Sequence, residues 1–154
     1  MAERDIIAQF ELKRLLLASG RYLDERNFQA YLDLYQEQGS YEIVTEAPQP
    51  TVIMQCNRAE LQERLAGSSG QDRAGAEVEQ SRVVSVEIFK LSDTTVQTSS
   101  SVALYHTSPD GTIALYADGH YQDCWENAAD TWKLRSRRVV LKTRQLRELL
   151  PLPI

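Results

Sequence analysis

The sequence predicts an α+β fold in which helices from the first half of the chain cover the concave face of a curved antiparallel sheet. Between residues 93 and 141, three β-rich segments follow one another, joined only by the short turns at 108–111 and 127–130. Strands of roughly 12 to 15 residues exceed the usual ~5–6, so they must twist and curl to stay in one sheet. Because helices must cover the concave face of such a sheet, we expect a cone-shaped domain.

Three helices are predicted ahead of the sheet. The first covers about residues 3–18, with an alternative end at residue 24 if it continues past Gly20, and the others cover residues 28–36 and 57–67. Apolar residues recur at helical spacing in the first helix, opposite charged residues. Asn27 is predicted to be the N-cap of the second helix. Asn57 and Glu60 form a capping-box pattern at the start of the third helix, and Gly67 is expected to end it. The first half of the chain therefore supplies the helical cover.

The remaining segments are assigned by composition and alternation. Residues 40–45 alternate as a short strand does, and residues 81–91 form the first long strand. The polar, glycine-rich segment 68–80 is predicted to be a mobile loop. At 154 residues the chain fits a single domain, over 1–154, that needs neither disulfides nor metals to bury a core.

The last ten residues, 145–154, form an apolar tail that two prolines keep out of a regular helix or central strand. Leaving its apolar side chains in water would be costly, so we expect the tail to lie along a subunit interface. The residues expected there are Leu146, Leu149, Leu150, Leu152 and Ile154.

Charge and hydropathy exclude two classes of partner. The net charge of -5 and the absence of a basic stripe interleaved with aromatic residues argue against nucleic-acid binding. No apolar run of about 18 residues occurs, so neither a membrane span nor a signal peptide is expected and the predicted location is the cytoplasm. The densest basic group is expected at a solvated or subunit-facing edge of a strand, and its members are Arg135, Arg137, Arg138 and Lys142.

Cysteine and histidine are too few for the common metal centres. The chain has two of each, Cys56, Cys124, His106 and His120, and they are not arranged in zinc-finger spacing or as cysteine-x-histidine pairs. A Rieske iron–sulfur centre needs two cysteines and two histidines in paired motifs, and a facial-triad iron needs two histidines and a carboxylate. We therefore expect no cofactor and no metal in this chain.

Four segments of the chain carry family-like motifs, and they are 21–42, 56–67, 81–89 and 116–141. The second has an asparagine-arginine-alanine opening, and the last ends in Arg-Arg-Val-Val-Leu. In this order along the chain, the four segments resemble the small β subunit of aromatic-ring-hydroxylating dioxygenases, which belongs to the nuclear-transport-factor-2-like (SnoaL-like) cone superfamily.

The resemblance implies an oxygenase component whose redox chemistry lies on another chain. The α subunit of such enzymes carries the Rieske centre and the mononuclear iron, and the β subunit packs against it in an α3β3 assembly. In this interpretation the chain is a non-catalytic subunit that holds the α subunits in register for dihydroxylation of an aromatic compound. Its expected partners are the α subunit and, as a trimer, further copies of itself, with Arg137 and Arg138 among its interface residues.

Two other functions remain open: a stand-alone isomerase or dehydratase of the same cone fold, and an oligomer that binds a small ligand in the cone. Isomerase or dehydratase chemistry needs a general base and a group that polarises a carbonyl. The candidates are Asp24, His106, His120 and Tyr121. The two histidines flank one turn at different offsets, so they are not expected to face each other. The alternative role of Asp24 is a helix cap or an ion-pair partner of a nearby arginine, Arg21 or Arg26.

Overall fold

A computed structural model describes residues 3–46, 49–70, 79–92, 94–142 and 154. The elements in chain order are α1 (Glu3–Asp24), α2 (Phe28–Leu32), β1 (Tyr35–Thr45), β2 (Thr51–Asn57), α3 (Arg58–Gly70), β3 (Glu79–Leu91), β4 (Thr95–Thr107), β5 (Ile113–Ala128) and β6 (Thr131–Leu141). The prediction of an α+β domain with three N-terminal helices and a curved sheet is confirmed.

The six strands form one sheet in the order β2-β1-β6-β5-β4-β3. Strands β3 to β6 make the predicted antiparallel meander, and β1 joins its edge by pairing with β6 in parallel, a pairing that the sequence did not predict. Parallel neighbours require a long crossover, and here the segment from β2 to β5 provides it. All five strand pairings contain a register shift of the bulge type or a similar irregularity, and bulges increase the local twist and bend the sheet.

The helices differ from the prediction mainly at their ends. Helix α1 continues past Gly20 to Asp24, the longer of its two predicted extents. Helix α2 ends at Leu32 because the following residues join the sheet: the Leu34 carbonyl accepts a hydrogen bond from the Leu134 amide. The predicted N-cap is confirmed, since the Asn27 side chain accepts a hydrogen bond from the Ala30 amide. Among the described residues, no helix combines the length and apolar character that crossing a membrane requires.

The capping box at the start of α3 is confirmed by two reciprocal hydrogen bonds. The Glu60 amide donates to the Asn57 side chain at 2.9 Å, and the Asn57 amide donates to the Glu60 carboxylate at 3.2 Å. Gly67 does not end the helix, which continues to Gly70. Residues 68–70 and 79–80 of the predicted loop therefore lie in α3 and β3, and 71–78 lie outside the described residues.

The hydrophobic core lies between the helices and the inner, concave face of the sheet. Helix α1 crosses β3, where Gly20 lies directly over Arg82 and Val84. Helix α3 covers β1 and β2. The largest completely buried side chains include four aromatic residues and one arginine: Trp125, Tyr31, Tyr41, Tyr121 and Arg137. A charged group therefore lies inside the core of this fold.

One residue of the apolar tail is described, and its position corrects the prediction. Ile154 is 1% exposed and packs within the core of its own chain. Its amide donates to the Tyr41 hydroxyl at 2.8 Å, and its carbonyl accepts from the same hydroxyl at 3.2 Å. The prediction that Ile154 lies at a subunit interface is wrong, because its apolar side chain is already buried. The other predicted interface residues of the tail, Leu146, Leu149, Leu150 and Leu152, lie outside the described residues.

Candidate functional site

A buried ion pair on the inner face of the sheet is the most unusual feature of the interior. Asp123 of β5 and Arg137 of β6 are register partners, and both side chains are completely buried. Two nitrogens of the Arg137 guanidinium donate to the two carboxylate oxygens of Asp123, at 2.9 and 3.0 Å. Its third nitrogen donates to the hydroxyl of Ser19 on α1 at 3.1 Å. The pair therefore joins two strands of the sheet to the helix that covers them.

Aromatic rings surround this ion pair. The Arg137 guanidinium lies 4.0 Å from the centroid of the Tyr121 ring, and the hydroxyls of Tyr31 and Tyr35 are hydrogen-bonded at 2.8 Å. Burial raises the pKa of the Asp123 carboxyl, and the Arg137 guanidinium opposes that rise. Burial alone would lower the pKa of Arg137, but the Asp123 carboxylate holds it above its ordinary range. Each charge is thus retained because of the other.

Arg137 was predicted at a solvated or subunit-facing edge, and the structure shows that this prediction is wrong. Arg137 lies in phase with Val139 and Leu141, so its side chain points inward with theirs. The alternation itself could have shown this, because Arg137 occupies an apolar position of β6. Arg138, one residue on, points outward, is 48% exposed and pairs with Glu42 at 3.2 Å. Its role at a subunit interface stays a prediction.

A second ion pair lies where α1 ends against β3. The Arg82 amide donates to the Asp24 carboxylate at 3.0 Å, and the Arg82 guanidinium pairs with the same carboxylate. The Arg82 side chain is completely buried and that of Asp24 is 21% exposed. The predicted partners of Asp24 were the arginines near it in sequence, Arg21 and Arg26, but the strand under the end of α1 supplies the partner instead. A carboxylate held in this way is poorly placed to act as a general base.

The candidate residues of the stand-alone enzyme lie on both faces of the sheet. His120 pairs in register with Ser101, and His106 pairs with Ala114, so the histidines do not face each other, as expected. The His106 ring stacks on Tyr116 with centroids 4.1 Å apart, in the inner phase of β4. His120 lies on the outer face of β5, where its ring approaches the Gln122 side chain, whereas Tyr121 points into the core. The sheet therefore separates His120 from the other candidates.

The outer face of the sheet carries a polar depression of about 540 Å³, which we name the outer trough. Short side chains, those of Ser40, Ser99, Ser136 and Cys124, line its floor. Longer side chains surround them, among them Glu42, Arg138 and Lys90. Burial raises the pKa of the Cys124 thiol, so this cysteine is not an activated nucleophile. The trough offers hydroxyl and amide groups for hydrogen bonding and lacks the features of a catalytic centre.

Metal ligands are not grouped anywhere in the part of the chain that the structure describes. No cluster of three or more His, Cys, Asp or Glu side chains occurs there. Cys56 is buried in the core and Cys124 lies in the outer trough, and neither forms a disulfide. The described residues therefore fit neither an iron–sulfur centre nor a mononuclear iron site.

Comparison with known proteins gives one family and several similar structures. The family model described as "ring hydroxylating beta subunit" matches residues 18–148. No curated protein matches the chain in sequence. Among solved structures, the β subunit of a proposed aromatic-ring-hydroxylating dioxygenase from Novosphingobium aromaticivorans DSM 12444 is 21% identical, with a TM-score of 0.79, and the match covers 93% of this chain and 94% of that one.

Two further structures show how widely the fold occurs. The β subunit of benzoate 1,2-dioxygenase from Burkholderia mallei ATCC 23344 is 18% identical over 85% of this chain and 88% of that one, with a TM-score of 0.72. A proposed scytalone dehydratase from Novosphingobium aromaticivorans DSM 12444 is 16% identical over 97% and 94%, with a TM-score of 0.71. At these identities the likeness establishes the nuclear-transport-factor-2-like cone fold and nothing about chemistry.

Proposed function

The chain belongs to the ring-hydroxylating β subunit family, and we propose that it is the non-catalytic, structural subunit of an aromatic-ring-hydroxylating dioxygenase. In this role it assembles iron-bearing α subunits into an α3β3 complex that dihydroxylates an aromatic compound. The Rieske centre and the mononuclear iron belong to the α subunits, and this chain holds neither. Its partners are the α subunit and two further copies of itself.

The family match is the observation that carries the proposal. It extends from the last turns of α1 into the chain beyond β6, so it includes both ion pairs and the whole meander. The β subunit of benzoate 1,2-dioxygenase has the same fold over most of its length. Fold alone would not separate a β subunit from a dehydratase, since a proposed dehydratase is also similar.

The interior of the cone supports a structural role rather than a catalytic one. A stand-alone isomerase or dehydratase needs a free base inside an open pocket. Here Asp24 and Asp123 are both engaged by arginines, and Tyr121 and Trp125 are completely buried on the inner face. The Trp125 indole nitrogen donates to the Thr98 hydroxyl at 3.0 Å, which fixes the ring in place. Neither carboxylate is therefore a free general base on the inner face.

Affinity capture of the tagged chain from its native host tests the proposal. We expect a second, larger chain in equimolar amount, iron, and the visible absorption of a Rieske centre, in a particle with the mass of six chains. The free tag, captured from the same lysate, controls for adventitious binding. Recovery of a colourless, iron-free protein with no second chain would contradict the proposal.

A reconstituted complex distinguishes a structural subunit from a catalytic one. His120→Ala removes an outward-facing candidate base without disturbing the core, and we expect turnover per iron to stay at the level of the unmodified complex. His106→Ala provides the matched change on the inner side of the same hairpin. A loss of turnover that exceeds the loss of assembled complex would show that this chain contributes to the chemistry.

A further inference from the structure

The outer trough is built from residues that are register partners across five strands. Ser40, Ser136, Cys124, Gln97 and Lys90 follow one another from β1 to β3 through successive pairings. Four inter-strand spacings of about 4.8 Å make this row roughly 19 Å long. The serines and the cysteine are short, so the sheet is indented along the row. Hydroxyl and amide side chains both donate and accept hydrogen bonds, which suits them to bind the backbone of a turn.

A rigid turn of matching character protrudes from the same chain. The β4–β5 hairpin is closed by hydrogen bonds from the Ser108 amide to the Thr112 carbonyl at 2.9 Å and from the Gly111 amide to the Ser108 carbonyl at 2.8 Å. Gly111 adopts a φ of 86°, a conformation that favours glycine. The Asp110 carboxylate accepts from the Thr112 amide at 2.9 Å. Such a preformed tip loses little conformational entropy when it binds.

The tip is exposed, together with two large apolar side chains beside it. Every residue from 108 to 115 is exposed, and Ile113 and Leu115 keep 65% and 55% of their surface accessible. Val83, on the outer face of β3, is 57% exposed as well. Exposed apolar side chains next to a polar tip are typical of a protein contact, because binding removes them from water.

The charges of the two surfaces are complementary. In the trough, Arg138 is paired with Glu42, whereas no carboxylate of the described residues forms an ion pair with Lys90. The tip carries one acidic residue, Asp110. Hydrogen bonding to the Thr112 amide lowers the pKa of that carboxyl, so it is charged at neutral pH. A negative tip therefore suits a trough that has one available positive charge.

We propose that the Ser108–Thr112 tip of one copy docks in the outer trough of a second copy of this chain, with Asp110 facing Lys90. The contact joins two different surfaces, so it is head-to-tail and can repeat from copy to copy. Closure after three copies gives the β ring that the proposed function requires. The number of copies rests on the proposed function. The two surfaces that join the copies, the tip and the outer trough, do not.

A disulfide mixing experiment tests the contact directly. Two variants are prepared in a Cys124→Ser background, one with Lys90→Cys and one with Asp110→Cys; Cys56 remains buried. An added mild oxidant takes up the two hydrogens of the thiols when the disulfide forms. We expect neither variant to be linked alone, and the mixture to give a reducible covalent pair on a denaturing gel. Glu63→Cys, at an exposed position of α3, replaces Asp110→Cys as the matched control and is expected to give no product.

Charge reversal provides a second test that does not depend on cysteine geometry. Lys90→Asp or Asp110→Lys alone places like charges at the contact, and we expect each to raise the dissociation constant of self-association about tenfold, as measured by sedimentation. The double variant restores an opposite pair and is expected to recover most of the affinity. Circular dichroism and thermal melting verify that each variant is folded.

The outcomes separate this inference from the proposed function. A chain that stays monomeric at every concentration, a mixture that is not linked, or a double variant that is as weak as the single ones would overturn the docking. If the Lys90→Cys variant forms a disulfide with the captured larger chain and not with the Asp110→Cys variant, the trough binds that partner. This result would also overturn the docking. Capture of an iron-bearing partner by a chain that fails these tests would leave the proposed function intact. Linking in a chain that captures no partner would support the docking alone.

Discussion

Asp123 and Arg137 form a two-bond ion pair in the centre of the protein, where neither side chain has any contact with solvent. They lie opposite each other on β5 and β6, and Ser19 of α1 accepts a further hydrogen bond from the guanidinium. Removing two charges from water costs several kcal/mol per ion, and only their mutual attraction and complete hydrogen bonding offset it. The pair therefore favours the one packing of the sheet against α1 in which both buried charges are hydrogen-bonded.

Removal of one member of this pair is expected to be far more damaging than removal of both. Arg137→Met leaves Asp123 buried without its partner and should lower the free energy of unfolding by about 3–5 kcal/mol. The double variant Asp123→Leu/Arg137→Met should recover much of this loss. Urea denaturation measures both. Arg138→Met, on the outer face, serves as the control and should cost less than about 1 kcal/mol. Equal losses for the Arg137 and Arg138 variants would contradict the interpretation.

The buried tyrosines predict a loss of stability at alkaline pH. Burial raises the pKa of Tyr35, Tyr41 and Tyr121 above the ordinary value of 10.0. In the unfolded chain these hydroxyls lose protons near pH 10, while the folded protein keeps them, so stability is complete below pH 10 and falls above it. Each tyrosine contributes a slope of up to about 1.4 kcal/mol per pH unit. Urea denaturation between pH 9 and 11 should show the fall, and Tyr121→Phe should make it shallower. A stability independent of pH in this range would refute the prediction.

Gly119 in β5 gives a test of close packing in the sheet, and Gly67 in α3 provides the control. A Cβ on Gly119 would lie 2.1 Å from the Val140 carbonyl oxygen, so β5 and β6 can approach only if this residue is glycine. Gly119→Ala should lower the free energy of unfolding by about 3 kcal/mol. Gly67 lies in α3 with no atom near its missing Cβ, so Gly67→Ala should raise it by about 0.5–1 kcal/mol. Thermal melting of both variants measures these changes in stability. A Gly119→Ala protein as stable as the unmodified chain would disprove the steric argument.

Removing the hydroxyl group should have different effects on stability at two buried tyrosines, Tyr121 and Tyr41. Within the described ranges, the Tyr121 hydroxyl has no hydrogen-bond partner, and neither does that of its register partner Ser100. Tyr121→Phe should therefore leave stability unchanged or raise it by up to about 1 kcal/mol. Tyr41→Phe removes two hydrogen bonds to Ile154 and should cost about 1–2 kcal/mol. A loss at Tyr121 as large as that at Tyr41 would reveal a partner for its hydroxyl.

Local patterns in the sequence were sufficient where the interactions are local. The start of α1 follows from its apolar periodicity, which left the end open between Ala18 and Asp24, and the cap of α3 follows from the spacing of Asn57 and Glu60. The turn at 108–111 follows from its proline, aspartate and glycine. The early end of α2 was missed because it depends on a hydrogen bond between Leu34 and Leu134, which are far apart in the chain. The parallel pairing of β1 with β6 was missed for the same reason.

The sequence by itself determined the class of fold, the hairpin meander and the absence of the known iron ligand patterns, because these depend on periodicity, turn residues and counts of ligands. Only the tertiary structure decided which groups the charged side chains contact. Arg137 and Arg138 are adjacent in the sequence, yet one is buried against Asp123 and the other is exposed beside Glu42. Asp24 pairs with Arg82, 58 residues away, rather than with a neighbouring arginine. A charged side chain can lie in a core only where a partner from another element meets it, and the folded chain alone brings these elements together.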